Sequence, residues 1–148
     1  MRFRMLVVCM VLVLTVSACS GNEPPTVGTE TVFASVCDES NEGKRVAVTG
    51  YLRLPDSFTG DFSVVLRLFE TEQFSGTPIG VTARLGTEMN QVENVPASYA
   101  DDDLRVHLAD GQIATYGTKA RVSGKMYYPS VEQDFVCGLE NLLIEPAD

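Results

Sequence analysis

The chain of 148 residues contains no tryptophan and a single histidine, His107. Without tryptophan it lacks one common stacking surface for carbohydrate, a part that tyrosine or phenylalanine can also play. One imidazole does not make a histidine-based metal centre, and no Cys-x-x-C pair is present to build a thiolate one. The Gly-x-Ser-x-Gly elbow of many hydrolases is missing as well. A lone histidine on a strand is ordinarily a surface or packing residue. The reading is therefore a protein that is not an enzyme, with no catalytic residue, metal or cofactor. Cations are scarce, 11 Lys and Arg against 20 Asp and Glu for a formal net charge of −9. Such a field repels polyanions, so it opposes nucleic acid as a partner. Finally, no apolar run reaches the roughly twenty residues that span a bilayer as a helix.

The longest apolar run lies at the start, where Arg2 and Arg4 precede residues 5–18, which are apolar but for Thr15 and Ser17. A basic end followed by a short apolar core is the form of a secretory signal. Its last residues, Val16, Ser17 and Ala18, are followed at once by Cys19. This resembles the lipobox of bacterial lipoprotein signals. An ordinary signal peptide with a cysteine beside its cleavage site is the alternative. The resemblance implies that residues 1–18 are removed and that Cys19 receives a diacylglycerol, becoming the acylated first residue of an exported protein anchored to a bacterial membrane. Stable anchoring takes at least two acyl chains, which that modification supplies. Residues 19–30 follow as the lipidated cysteine and a tether rich in Gly, Pro, Ser and Thr. Residues 31–148 are enough for one domain and too few for two of ordinary size.

Four cysteines are thereby accounted for in part. Cys9 falls in the signal and Cys19 is taken by lipid, leaving Cys37 and Cys137 in a compartment where disulfides persist. They are expected to pair; two separate thiols are the alternative. The closed loop of about 100 residues would stabilise the domain by roughly 4 to 5 kcal/mol in the chain-entropy account.

Within residues 31–148 the hydrophobic pattern has a period of two. Val46, Val48, Leu52 and Leu54 alternate with Ala47, Thr49, Tyr51 and Arg53 until Pro55 stops the run. Phe62, Val64, Leu66 and Leu68 alternate with Ser63, Val65, Arg67 and Phe69, and Ile79, Val81, Ala83 and Leu85 alternate with Thr82 and Arg84. Residues 86–103 show no strong period. Next, Asp110-Gly111 between two apolar-alternating runs predicts a hairpin whose central residues both take positive φ. Two further strands are expected in KARVSGKMYYP and DFVCGLENLLIEP, and a helical turn or edge strand in TVFASVC.

Glycine inside a strand marks a bulge or a sharp bend, and Gly50 and Gly124 occupy such places in two similar segments, VAVTGYL and ARVSGKM. Five principal strands, bent at the first and fourth, with a longer insertion between the third and fourth, resemble the OB-fold. More narrowly, GKRVAVTGYL and RVSGKM followed by CGLENLLIE resemble the tRNA-anti-like OB domains. The expected fold class is all-β: a small, mostly antiparallel, five-stranded Greek-key barrel with an extra hairpin or short helix between strands three and four. A different β-sandwich or barrel is the alternative. The OB resemblance implies a ligand face on the outside of the first three strands, which places Tyr51, Arg53, Arg67, Phe69 and Arg84 there. Three cations and two aromatics on an acidic protein suit an anionic ligand or an envelope protein as partner.

Two acidic groupings remain. Residues 38–43 begin like a calcium loop, but its twelfth position, which needs a bidentate glutamate, is Thr49. Asp101, Asp102 and Asp103 read as solvated surface. The function expected is a binding or scaffolding lipoprotein of the cell envelope, with an envelope hydrolase or an oligonucleotide- or oligosaccharide-binding module as alternatives.

Overall fold

The computed structural model describes residues 24–148. The signal and Cys19 lie outside the described residues. Among the described residues nine strands form in chain order: β1 (Thr29–Glu30), β2 (Arg45–Arg53), β3 (Ser63–Phe69), β4 (Ile79–Leu85), β5 (Gln91–Val92), β6 (Val106–His107), β7 (Ile113–Ala114), β8 (Lys119–Tyr127) and β9 (Gly138–Pro146). Helical residues among those described are confined to three short 3-10 turns, and no helix is long and apolar enough to cross a membrane.

Five strands close into a barrel. β2 pairs antiparallel with β3, β3 with β4, β8 with β9 and β2 with β8, while β4 and β9 meet in parallel. Numbered by barrel position, the circuit is 1-2-3-5-4-1, the Greek-key connectivity of an OB-like barrel. Alternation along each strand explains the interior: Val46, Val48 and Leu52 of β2, Leu66 and Leu68 of β3, and Leu139 and Ile144 of β9 are all buried. Fully burying a side chain of this size contributes about 1.5 to 3 kcal/mol.

Closure depends on β2 serving two neighbours. It follows β8 from Arg45 to Tyr51 and takes up β3 from Tyr51 to Arg53. Gly50 sits at the handover, where a Cβ would overlap the Phe69 carbonyl oxygen. The expected bend at Gly124 has a different form. Between Ser123↔Leu143 and Lys125↔Glu140 the extra residue belongs to β9, where Asn141 takes a φ of 51°. Gly124 lies across from that bulge and makes room for it, since a Cβ there would come within 2.9 Å of Leu139.

Residues 86–103, without a readable period, hold β5, which is two residues long and so too short to show one. It adds beside β4 and pairs with β6. The β6–β7 hairpin forms around Asp110-Gly111, but only Gly111 takes positive φ, at 86°. The turn is a three-residue one. Gly111 N–H donates to the Leu108 carbonyl, Leu108 N–H donates to the Gln112 carbonyl, and the Asp110 carboxylate accepts from Gln112 N–H at 2.9 Å. That carboxylate bond stabilises a right-handed turn followed by one left-handed glycine, in place of the two-residue turn expected from the dipeptide.

Two further expectations are corrected. Phe62, in phase with the inward-facing Val64, Leu66 and Leu68, is nevertheless 85% exposed, because β3 starts at Ser63 and residue 62 lies outside the strand. The end of the segment read as tether, Thr29 and Glu30, joins the sheet in parallel with Val46 and Ala47. Polar side chains reinforce this docking: the Arg45 guanidinium donates to the Thr26 carbonyl at 2.9 Å, and Arg121 pairs with Glu30.

Cys37 and Cys137 form a disulfide with Cα atoms 5.5 Å apart, spanning 100 residues of sequence. The bond joins the segment after the first 3-10 turn to the start of β9. Residues 38–43 form a turn, in which the Asn41 side-chain amide donates back to the Ser35 carbonyl at 2.8 Å.

Candidate functional site

Four of the five residues expected on the ligand face come together. Tyr51 stands opposite Phe69, and Arg53 opposite Arg67, in the register of β2 and β3. Two guanidinium groups directly across a sheet repel each other, and here each is drawn to a carboxylate on a different loop. Arg53 donates to Asp101 at 3.1 Å, a residue of the 3-10 turn Asp101–Asp103. This hydrogen bond, against the opposing effect of burial, holds the Arg53 pKa above its ordinary value. Arg67 reaches Asp134 at 2.6 Å and lies over the Phe135 ring, 4.9 Å from its centroid. The Arg67 hydrogen bond holds the Asp134 carboxyl below the usual aspartate range.

The aromatic pair is likewise engaged within the protein. Phe69 is 9% exposed and meets Phe74 edge-on at 5.6 Å. Phe74 stacks on Tyr116 at 4.8 Å and touches Tyr51 at 6.5 Å. Further along the sheet, the Phe135 ring occupies the space above Gly80, where a Cβ would come within 2.7 Å of it. The Thr82 and Tyr127 hydroxyls share a hydrogen bond of 2.8 Å. The loop between β8 and β9 thus lies over the middle of the face that the OB resemblance assigns to ligand.

The Arg67–Asp134 pair carries a pH-dependent prediction. A carboxyl with a lowered native pKa adds stability above its ordinary value, near 3.9, and that stability is lost as the pH falls through the native value. The Asp134 side chain is 60% exposed, so screening limits the pair to about 0.2 to 1 kcal/mol. Asp134→Asn should lower stability by that amount at pH 7. In urea titrations its difference from the parent should close below about pH 4; a gap of constant size across the range would assign the loss to packing.

Arg84 is not with the other four. It pairs across β3 with Ser63, at the opposite end of β3 from Phe69. None of the salt bridges among the described residues involves it. It lines a groove of about 580 Å³ that opens where β4 and β9 part after Val81↔Leu139. Thr82, Met89, Asn90, Glu140 and Asn141 share that lining, and Pro24 and Pro25 run along it. Asn90 takes a φ of 63° and its side-chain oxygen accepts the Ile144 N–H at 2.7 Å, bridging the gap between the parted strands. Periodicity points to none of these residues except Thr82, because the others lie in a loop and a bulge. Asparagine, which tolerates the left-handed region, is the one local clue.

The groove offers a guanidinium, a carboxylate, side-chain amides and a hydroxyl beside the apolar Met89, a set suited to holding a charged group by hydrogen bonds. His107 lies elsewhere and pairs with Glu93 at 2.8 Å. Among the described residues, no three His, Cys, Asp or Glu side chains are grouped so as to hold a metal ion. No family model, curated protein or solved structure matches the chain.

Proposed function

We propose that this protein is an exported bacterial lipoprotein, held on a membrane through acylated Cys19, whose OB-like barrel serves as a binding or scaffolding module in the cell envelope. The observation that carries the reading is Val16-Ser17-Ala18-Cys19 at the end of a basic and then apolar leader. The Cys37–Cys137 bond supports the exported address, because such bonds persist outside the cytoplasm. A binding role draws support from the groove, whose lining offers a guanidinium, a carboxylate and side-chain amides as hydrogen-bonding groups. Of the five face residues, Arg84 is the best placed to meet an anionic group, since Arg53 and Arg67 already have carboxylate partners. The net charge of −9 speaks against an oligonucleotide as that group.

Metabolic labelling with an alkyne fatty acid tests the anchor. Wild type should label and sediment with membranes, whereas Cys19→Ala should do neither. Equal label in both, or in neither, would refute the reading.

A further inference from the structure

The described chain leaves the barrel at Pro24, against the Arg84 groove. Only four residues, 20–23, separate Pro24 from Cys19, and even fully extended this connection spans at most about 18 Å. The same end of the molecule carries Phe62, 85% exposed, and Met89, 64% exposed. Phe62 adjoins Ser63, which lines the groove together with Met89, Arg84, Pro24 and Pro25. Single exposed apolar residues are ordinary on soluble proteins. What distinguishes these two is their place beside the exit of the anchor, around an arginine with no carboxylate partner among the described residues.

We infer that this end of the barrel rests on the bilayer that holds the anchor, with Phe62 and Met89 entering the headgroup region and Arg84 hydrogen-bonding lipid phosphate. The inference rests on the lipoprotein reading above. Its physical basis is the usual one for interfacial contact: aromatic and apolar side chains gain by leaving water at headgroup depth, and a guanidinium forms charge-assisted bonds with phosphate oxygens. Asp61 and Glu88 flank the two apolar residues, and Glu140 shares the groove with Arg84. These carboxylates would be repelled by a strongly anionic surface and tolerated by one rich in phosphatidylethanolamine, whose ammonium group they can meet. The committed occupant is therefore a bilayer rich in that zwitterionic lipid.

The aromatic cluster at the other end provides an internal control. β3 runs from Ser63 to Phe69, a distance of about 20 Å, and Tyr116, 38% exposed, belongs to the cluster around Phe69. Because the chain has no tryptophan, Phe62→Trp and Tyr116→Trp each create a single fluorescent reporter at an exposed position. The acylated full chain would be reconstituted into phosphatidylethanolamine vesicles with a minority of phosphatidylglycerol, with fatty-acid label and flotation scored first. Brominated phosphatidylethanolamine would then be used as quencher. Phe62→Trp should be quenched at least about twofold more than Tyr116→Trp, with emission shifted to the blue of the same reporter in a Cys19→Ala background. Equal quenching of the two reporters in labelled, floating protein overturns the inference and leaves the lipoprotein reading standing. Protein that neither labels nor floats overturns both. Adding Arg84→Gln to Phe62→Trp should cut the quenching by about a third or more, and unchanged quenching overturns the part assigned to Arg84.

Discussion

Breaking the Cys37–Cys137 bond is expected to destabilise the barrel by about 2 to 5 kcal/mol, the range for loss of a native disulfide from a small secreted domain. The upper part of that range applies here because the bond spans 100 residues, and constraint of the unfolded chain grows with the loop closed. Cys137 is fully buried at the start of β9, next to Gly138, one of the two residues through which β9 pairs with β4. Loss of the bond therefore loosens the shortest seam of the barrel as well as freeing the unfolded chain. For a domain of this size, about 3 to 5 °C per kcal/mol translates this into a fall in melting temperature of about 10 °C or more. Thermal melts of the parent with and without reductant, and of the Cys37→Ala/Cys137→Ala double variant, measure it directly. A shift below about 2 °C would show that the remaining contacts hold the ends of the domain without the bond.

Gly50→Val should be comparably severe, costing about 3 to 5 kcal/mol and in practice yielding little folded protein. The added Cβ meets the Phe69 carbonyl oxygen, a backbone atom held in the β2–β3 ladder, and beyond it the Leu68 side chain at 3.0 Å. Neither can withdraw without separating β3 from β2. Gly43→Ala is the informative comparison. Gly43 has a φ of 73° but nothing within 4 Å of its missing Cβ, so alanine there incurs only backbone strain, about 1 kcal/mol. Denaturant titration of the two variants separates steric closure from conformational preference. If Gly50→Val unfolded with the same midpoint as Gly43→Ala, the handover at residue 50 would not require glycine.

The five barrel strands were legible because each is long enough to show its period and has a buried face. Val46, Val48 and Leu52, or Leu66 and Leu68, leave no second register that keeps them inside. The short strands were not legible: Gln91–Val92 owes its existence to the β4 edge beside it, a tertiary cause invisible in two residues. Parity alone puts Phe62 in phase with Val64, but it says nothing about where the strand begins. For the candidate site, alternation placed Tyr51, Arg53, Arg67 and Phe69 together correctly. It could not reveal that Asp101, Asp134, Phe135 and Phe74, all from loops, lie against them. The groove beside Arg84 was hidden for a related reason, since it is produced by the parting of β4 and β9 and by the bulge at Asn141.

The neighbour that β2 follows along most of its length is β8, with Arg45 opposite Lys125 and Tyr51 opposite Lys119. A chain that emerges N-terminus first from the ribosome therefore presents its first barrel strand long before that partner exists. Through some 70 residues of further emergence, one edge of β2 stays open to any other extended chain nearby. Barrels whose strands must find such distant partners fold slowly, commonly in milliseconds to seconds. Because β9 lies between β8 and β4 in the circuit, the emergence of β9, the last strand, sets the earliest moment at which the barrel can close.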